Sequence, residues 1–257
     1  MDIQQILNVT PESLVTWAGV LEGDLGNLPD SVREARLSNQ LAILQSQPIG
    51  AQMKTHSQVA AKYLPSLIDL YRERDQVISS ASTLINVITA SPYFVRFLRT
   101  PGGNGIAALQ TKRAAASIDQ IDTTFNADSV AEIFQFLGTL LLLQGVQDVA
   151  PEDKAILLRH LPNCERKFVG RLASETAGRC MALLSDDPYM RPMMQEVKRV
   201  LEQPLEQCGG PGCTLRVQKN GAELSQCSRC KSAVYCGADH QKAAWAKHKP
   251  TCFAPTF

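Results

Sequence analysis

Hydrophobic residues recur at helical spacing through the first 207 residues of the chain. In the segment QVISSASTLINVITA they stand three and four positions apart, at Val77, Ile78, Ala81, Leu84, Ile85 and Ile88. In VAAKYLPSLIDLY a second stripe runs through Val59, Tyr63, Leu67 and Leu70. Alternating strand patterns are nearly absent from this part of the sequence. The pattern predicts an all-α domain of about eight to ten helices over residues 1–204.

Glycine, proline and serine interrupt this pattern at six places, which mark predicted helix ends. The interruptions fall at 23–26, 48–50, 91–92, 101–105, 150–151 and 186–188. In DSVAEIFQFLGTLLLL, Asp128 or Ser129 is the predicted N-cap, and Glu132 would complete a capping box with Ser129. Helix hairpins of about 40 residues would suit an armadillo- or HEAT-like stack. Because no motif repeats convincingly, an irregular helical bundle stays open beside that stack.

The composition is ordinary for a globular chain, with 44% hydrophobic and 20% charged residues. The net charge is +1, so bulk charge points neither to a nucleic-acid partner nor to an acidic tail. The first residues lack the basic and apolar regions of a signal peptide. The longest apolar run, Leu140–Leu143, is far shorter than the roughly 20 residues that span a bilayer. We therefore expect an intracellular protein, cytoplasmic or nuclear, with no membrane partner.

Cysteine and histidine are concentrated in the last 50 residues. Cys164 and Cys180 stand alone, whereas the remainder form close pairs: Cys208 with Cys213, Cys227 with Cys230, Cys236 with His240, and His248 with Cys252. A disulfide framework would be typical of an exported chain and would leave both histidines unexplained. Short pairs can aim two side chains at one ion, and eight ligands suffice for two four-coordinate zinc ions. We predict two structural zinc ions, with Pro250 placing the last pair at a helix end.

The segment CSRCKSAVYCGADHQKAAWAKHKPTC resembles a MYND-type zinc finger. The resemblance rests on Cys227, Cys230, Tyr235, Cys236, Gln241, Trp245, His248, Lys249 and Cys252. With the first pair included, it covers residues 208–252. Two positions depart from the family pattern: four residues separate Cys208 from Cys213 where two are usual, and His240 stands where cysteine is commoner. Imidazole binds zinc well, so neither departure removes a ligand.

The resemblance implies that the ligands interleave. One site would consist of Cys208, Cys213, Cys236 and His240, and the other of Cys227, Cys230, His248 and Cys252. The family also binds short proline-rich peptides, and the positions that match its peptide groove are Ser228, Gln241 and Trp245. An indole face can stack on a proline in the polyproline II conformation. Packing of Trp245 into the small core of the finger is the alternative interpretation.

Taken together, the sequence predicts an adaptor that joins a helical platform to a finger binding proline-containing segments of protein partners. The alternative is a nucleic-acid-associated transcriptional regulator, because residues 208–257 hold seven Lys or Arg against two acids. We favour protein over nucleic acid as the partner. We expect no enzymatic activity: the Gly-rich segment 100–105 lacks the lysine of a P-loop, and His160 with Cys164 has no second ligand pair.

Overall fold

A computed structural model describes residues 9–21 and 28–257 of the chain. The predicted interruption at 23–26 and the segment 1–8, which belongs to the part considered for a signal peptide, lie outside these residues. Eleven α-helices precede the finger in the described part: α1 (Pro11–Trp17), α2 (Asp30–Gln45), α3 (Ile49–Glu73), α4 (Ser80–Val87), α5 (Pro92–Leu98), α6 (Ile106–Ala116), α7 (Ile118–Thr123), α8 (Ala127–Gln144), α9 (Pro151–Lys167), α10 (Leu172–Ser185) and α11 (Arg191–Glu206). A 3-10 turn covers Pro101–Gly103.

The prediction of an all-α domain is confirmed. The number of helices exceeds the eight to ten expected, because short helices such as α5 and α7, of seven and six residues, fill segments without a long apolar repeat. Helix lengths reach 25 residues in α3, and the structure does not confirm an armadillo-like stack. No helix among the described residues is both long and apolar enough to cross a membrane.

The predicted N-cap of α8, Asp128 or Ser129, is wrong by two or three residues, and so is the predicted capping box of Ser129 with Glu132. The helix begins at Ala127, and its N-cap is Asn126, whose side chain accepts a hydrogen bond of 2.9 Å from the Ser129 amide. Ser129 is therefore the third residue of the helix, and its backbone amide donates the capping hydrogen bond. Asn, Asp and Ser have nearly equal capping preference, so the sequence NADS offered three neighbouring candidates.

Helix α3 contains Pro65, which cannot donate a hydrogen bond to the carbonyl of Ala61 one turn earlier. The C-terminal segment 253–257 fills this gap. The Thr256 amide donates to the Ala61 oxygen at 3.0 Å, and the Thr256 hydroxyl donates to the Lys62 oxygen at 3.2 Å. The segment that follows the finger is thus bound to the longest helix of the helical domain.

The finger consists of few regular elements. Strands β1 (Ser225–Gln226) and β2 (Val234–Tyr235) pair antiparallel, with Ser225 opposite Tyr235. Helix α12 (Ala238–His248) follows, and a 3-10 turn covers Lys249–Thr251. The helix ends at His248, in agreement with the prediction made from Pro250.

Candidate metal centre

The loop between Cys208 and Cys213 explains how a widely spaced pair reaches one site. The backbone of Gly212 has a φ of 67°, a conformation that favours glycine. Gly210 lies against the ring of His240, and a Cβ at position 210 would come within 2.5 Å of the His240 Cγ atom. The sequence Gly-Gly-Pro-Gly therefore lets the backbone pass close to the imidazole and return the Cys213 thiol to the same point.

The first cluster brings together Cys208, Cys213, Cys236 and His240. The donor atoms of these four side chains all lie within 4.8 Å of one another. The His240 Nδ1 atom is 3.4 Å from the Cys208 Sγ and 3.0 Å from the Cys236 Sγ. The two sulfurs of Cys213 and Cys236 are 4.0 Å apart. Two elements meet here, the glycine loop and the start of α12.

The second cluster brings together Cys227, Cys230, His248 and Cys252, again with all four donor atoms within 4.8 Å. The Cys227 and Cys252 sulfurs are 3.7 Å apart, and the Cys230 Sγ is 3.5 Å from the His248 Nε2. The turn after Cys230 requires a left-handed residue, and Lys231 adopts a φ of 56° there. Helix α12 carries a donor of the first cluster near its start and a donor of the second at its end, so it joins the two.

The sulfur–sulfur distances suit zinc, whereas the 3.0 Å between the Cys236 Sγ and the His240 Nδ1 is shorter than a bound ion would set. A tetrahedral ion with Zn–S of about 2.3 Å and Zn–N of about 2.05 Å separates two sulfurs by about 3.8 Å and a sulfur from a nitrogen by about 3.6 Å. The sulfur pairs, at 3.7 and 4.0 Å, lie close to the first value and far outside the disulfide length of about 2.05 Å. All eight cysteines are free thiols. Each cluster fits a zinc ion held by three thiolates and one imidazole.

Backbone amides stabilise negative charge on particular sulfurs. The amides of Gly210 and Cys236 donate to the Cys208 Sγ at 3.4 and 3.3 Å. Although burial disfavours the thiolate, these donors lower the pKa of Cys208 to about 7. In the second cluster the Ser232 amide donates to the Cys230 Sγ at 3.4 Å. Burial and the neighbouring sulfurs raise the pKa of Cys252 to about 12, so a cation is needed to keep this thiol ionised near neutral pH.

Tyr93 on α5 connects the second cluster to the helical domain, a contact that the sequence did not reveal. Its hydroxyl donates toward the Thr251 and Phe253 oxygens at 3.0 and 2.9 Å and accepts from the Phe253 amide at 2.7 Å. These two residues flank Cys252. The side chain of Arg96 adds a 3.0 Å hydrogen bond to the Phe257 oxygen, and the Phe97 and Phe257 rings pack edge to face.

The three predicted peptide-binding residues lie next to the clusters. Ser228 is exposed in the turn between Cys227 and Cys230, and Gln241 follows His240 on α12. Trp245 lies one turn further along α12 and is 40% exposed. The centroid of its ring is 6.0 Å from that of His248, at a tilt of 58°. The indole therefore packs against a cluster residue on one side and meets solvent on the other.

The remaining cysteines lie in the helical domain. Cys180 is fully buried on α10 and donates to the Phe134 oxygen at 3.1 Å. Cys164 is buried on α9 and donates to the Asp122 carboxylate at 3.5 Å, while His160 pairs with the other oxygen of Asp122 at 2.7 Å. Among the described residues, only the two finger clusters bring three or more potential metal ligands together, so this trio is not among the candidates.

Fold and site together define a helical protein with a C-terminal zinc-binding module of two Cys/His clusters. Residues 206–252 match the family model of the MYND finger. No curated protein and no solved structure matches the chain. The module is a MYND-type zinc finger, and fingers of this family generally mediate protein interactions.

Proposed function

We propose that the protein is an adaptor whose finger binds proline-containing segments of partner proteins through Ser228, Gln241 and Trp245. The observation that carries the proposal is the half-exposed indole of Trp245 beside the second cluster. Zinc would supply the module with its fold, since so short a segment buries little apolar surface without metal. The side chains at the surface would then supply the recognition.

The chemistry of these side chains suits an extended peptide. Gln241 and Trp245 stand four residues apart on α12, a spacing that places both on one face of a helix. An indole offers a flat apolar surface to a proline ring, and an amide can hydrogen-bond to the carbonyls of a peptide that lacks amide protons. Because cluster residues precede and follow the pair, both side chains would be held on a rigid element.

Substitution of Trp245 tests the proposal. We expect Trp245→Ala to lower the affinity for proline-containing 12-residue peptides at least fivefold, while two zinc ions per chain remain. The probe is a peptide array in which each proline-containing sequence is paired with a copy that has alanine at the proline positions. Val217→Ala is the matched control, because Val217 is an exposed apolar residue of the same finger, and its binding should not change.

Three results would contradict this assignment. Loss of zinc from Trp245→Ala protein would show that the indole belongs to the core of the finger. Equal binding of proline and alanine peptides would remove proline as the recognised feature. Tight and steeply salt-dependent binding of random oligonucleotides would instead favour the basic surface of the finger and a nucleic-acid partner.

We further propose that this activity is binding without catalysis. The two thiols outside the finger are poor candidates for nucleophiles, since burial raises the pKa of Cys164 and of Cys180 to about 12. At neutral pH these side chains would remain protonated. Their contacts with Asp122 and with the Phe134 carbonyl support a role in packing.

A further inference from the structure

A large apolar groove lies between α8, α9, α10 and α11 of the helical domain, formed by residues with no role in the finger. It encloses about 1090 Å³, and its walls include Phe134, Leu142, Leu158, Met181, Met190 and Met194. Close-packed protein interiors leave few voids larger than a water molecule, so a space of this size is available to a ligand. The methionines can adapt their shape to an apolar partner.

Helix α11 forms one apolar side of the groove. Met190, Met194, Val197 and Leu201 follow helical spacing along its inner side. Met194 alone of the α11 side chains is buried, whereas Met193, Val197 and Val200 are 48%, 43% and 52% exposed. A small molecule held among the lining side chains would leave Val200, which lies outside the lining, in water. A ligand that covers the groove and Val200 together is an extended surface of a macromolecule.

The secondary structure of that ligand follows from hydrogen bonding. The walls of the groove are helices, whose backbone groups are already paired, so the groove offers no sheet edge to an extended strand. A strand against these apolar side chains would leave its own amides and carbonyls unsatisfied. An α-helix satisfies its backbone internally and can place one apolar face in the groove.

Charged residues at the groove indicate the polarity of the partner. Glu165, Glu175 and Asp187 line it, and none of the three forms an ion pair in the described part of the chain. Arg179 is the single basic residue that the described lining contains. The charged lining therefore carries a net negative charge, which suits lysine and arginine side chains of a partner.

We propose that this groove binds a basic amphipathic helix of a partner protein. The apolar stripe of that helix would contact the methionines, and its lysine or arginine side chains would approach Glu165, Glu175 and Asp187. The site is separate from the finger, so the two surfaces would let the protein hold two partners at once.

The test uses the zinc-loaded full chain and a synthetic 18-residue helical peptide. The peptide carries leucine at i, i+3, i+4 and i+7 spacing with lysine on its other face. One control peptide has glutamate in place of lysine, and another has the same composition with the leucines scattered. Fluorescence anisotropy measures affinity, and hydrogen exchange locates the bound peptide. We expect binding of the lysine peptide alone, with protection confined to α8, α9, α10 and α11.

Variants of the groove sharpen the test. Glu175→Lys and Met193→Ser should each weaken binding about fivefold, by reversing a rim charge and by removing apolar contact area. Glu152→Lys is the matched control, because Glu152 lies in the first turn of α9 as Glu175 lies in the first turn of α10. Glu152 does not line the groove, and we expect the affinity of Glu152→Lys for the lysine peptide to equal that of the wild type. Trp245→Ala should also bind normally.

Several outcomes would overturn the proposal. These are no binding of the lysine peptide, equal binding of the glutamate or scattered peptide, protection outside the groove, or an equal effect of Glu152→Lys. Light scattering supplies a further one: a dimer that Met193→Ser converts to a monomer would show that a second copy of the chain occupies the groove.

Discussion

At the scale of single residues, Gly210 determines whether the first cluster can form. A Cβ at this position would come within 2.6 Å of both the Cβ and the Cγ of His240. We expect Gly210→Ala to displace the imidazole and to lower the zinc content toward one ion per chain. The affinity of the finger for the remaining zinc ion should also fall. Inductively coupled plasma mass spectrometry on the purified variant measures the content. Gly237→Ala is the control, since no atom lies within 4 Å of the Cβ it would add; a full zinc complement in both variants would exclude the assigned geometry.

Glu132 on α8 is a buried carboxyl group whose Oε1 atom lacks a partner. Burial raises its pKa above the ordinary value of 4.5. The unfolded chain therefore ionises Glu132 more readily than the folded chain, and the wild type loses stability as pH rises through 4.5 and above. Glu132→Gln keeps the shape without the charge, so we expect the free energy of unfolding at pH 7 to increase by about 1 kcal/mol.

The gain from Glu132→Gln should shrink at pH 4, where the wild-type carboxyl group is largely protonated. Urea unfolding of both proteins at the two pH values measures the difference, and comparison at one pH cancels any effect of zinc. Glu196 is exposed, so Glu196→Gln serves as the control, and we expect no increase in its free energy of unfolding. A gain of equal size at both pH values would show that the buried charge is not its cause.

At the scale of secondary-structure elements, the segment 253–257 supplies a backbone hydrogen bond that α3 lacks. Pro65 deprives the Ala61 oxygen of its donor within the helix, and the Thr256 amide replaces that donor. We expect deletion of residues 254–257 to cost about 1 kcal/mol more in the wild type than in Pro65→Ala, where the backbone amide restored by the substitution can bond to the Ala61 oxygen. Urea unfolding of the four proteins gives this coupling energy. Additive effects within about 0.5 kcal/mol would contradict the shared hydrogen bond.

The sequence predicted elements whose signals are local. Helical periodicity identified the all-α domain, and the spacing of cysteine and histidine identified four ligand pairs, because the members of a pair lie within a few residues of each other. The resemblance to the MYND finger, not the spacing, assigned those pairs to the two clusters. Short helices such as α7 were missed, since six residues carry too little periodicity. The Tyr93 contacts join residues about 160 positions apart, and no local pattern encodes them. Proline at position 65 indicates in the sequence that one carbonyl of the helix lacks its amide donor. Only the fold shows that Thr256 supplies the replacement.

At the scale of the whole molecule, finger and helical domain behave as coupled parts. The second cluster fixes Cys252, and the adjoining Phe253 contacts Tyr93 while Thr256 contacts Ala61. Helix α11 adds a second connection, because Glu206 at its end pairs with Arg216 of the finger at 3.0 Å. Zinc bound in the finger would therefore stabilise helices that contain no metal ligand.

Removal of zinc measures this coupling. We expect chelation to unfold the finger and to preserve most of the helical circular dichroism at 20 °C, because most side chains of the buried core lie on α1–α11. The melting temperature of the helices should nevertheless fall by about 4–8 °C, the effect of losing about 2 kcal/mol of tail contacts in a chain of this size. Tyr93→Phe removes the bridging hydroxyl. With zinc bound, this variant should have a lower melting temperature than the wild type, and chelation should lower its melting temperature by a smaller amount. An unchanged melting temperature after complete zinc removal would show that the two parts fold independently and that the tail contacts contribute nothing measurable.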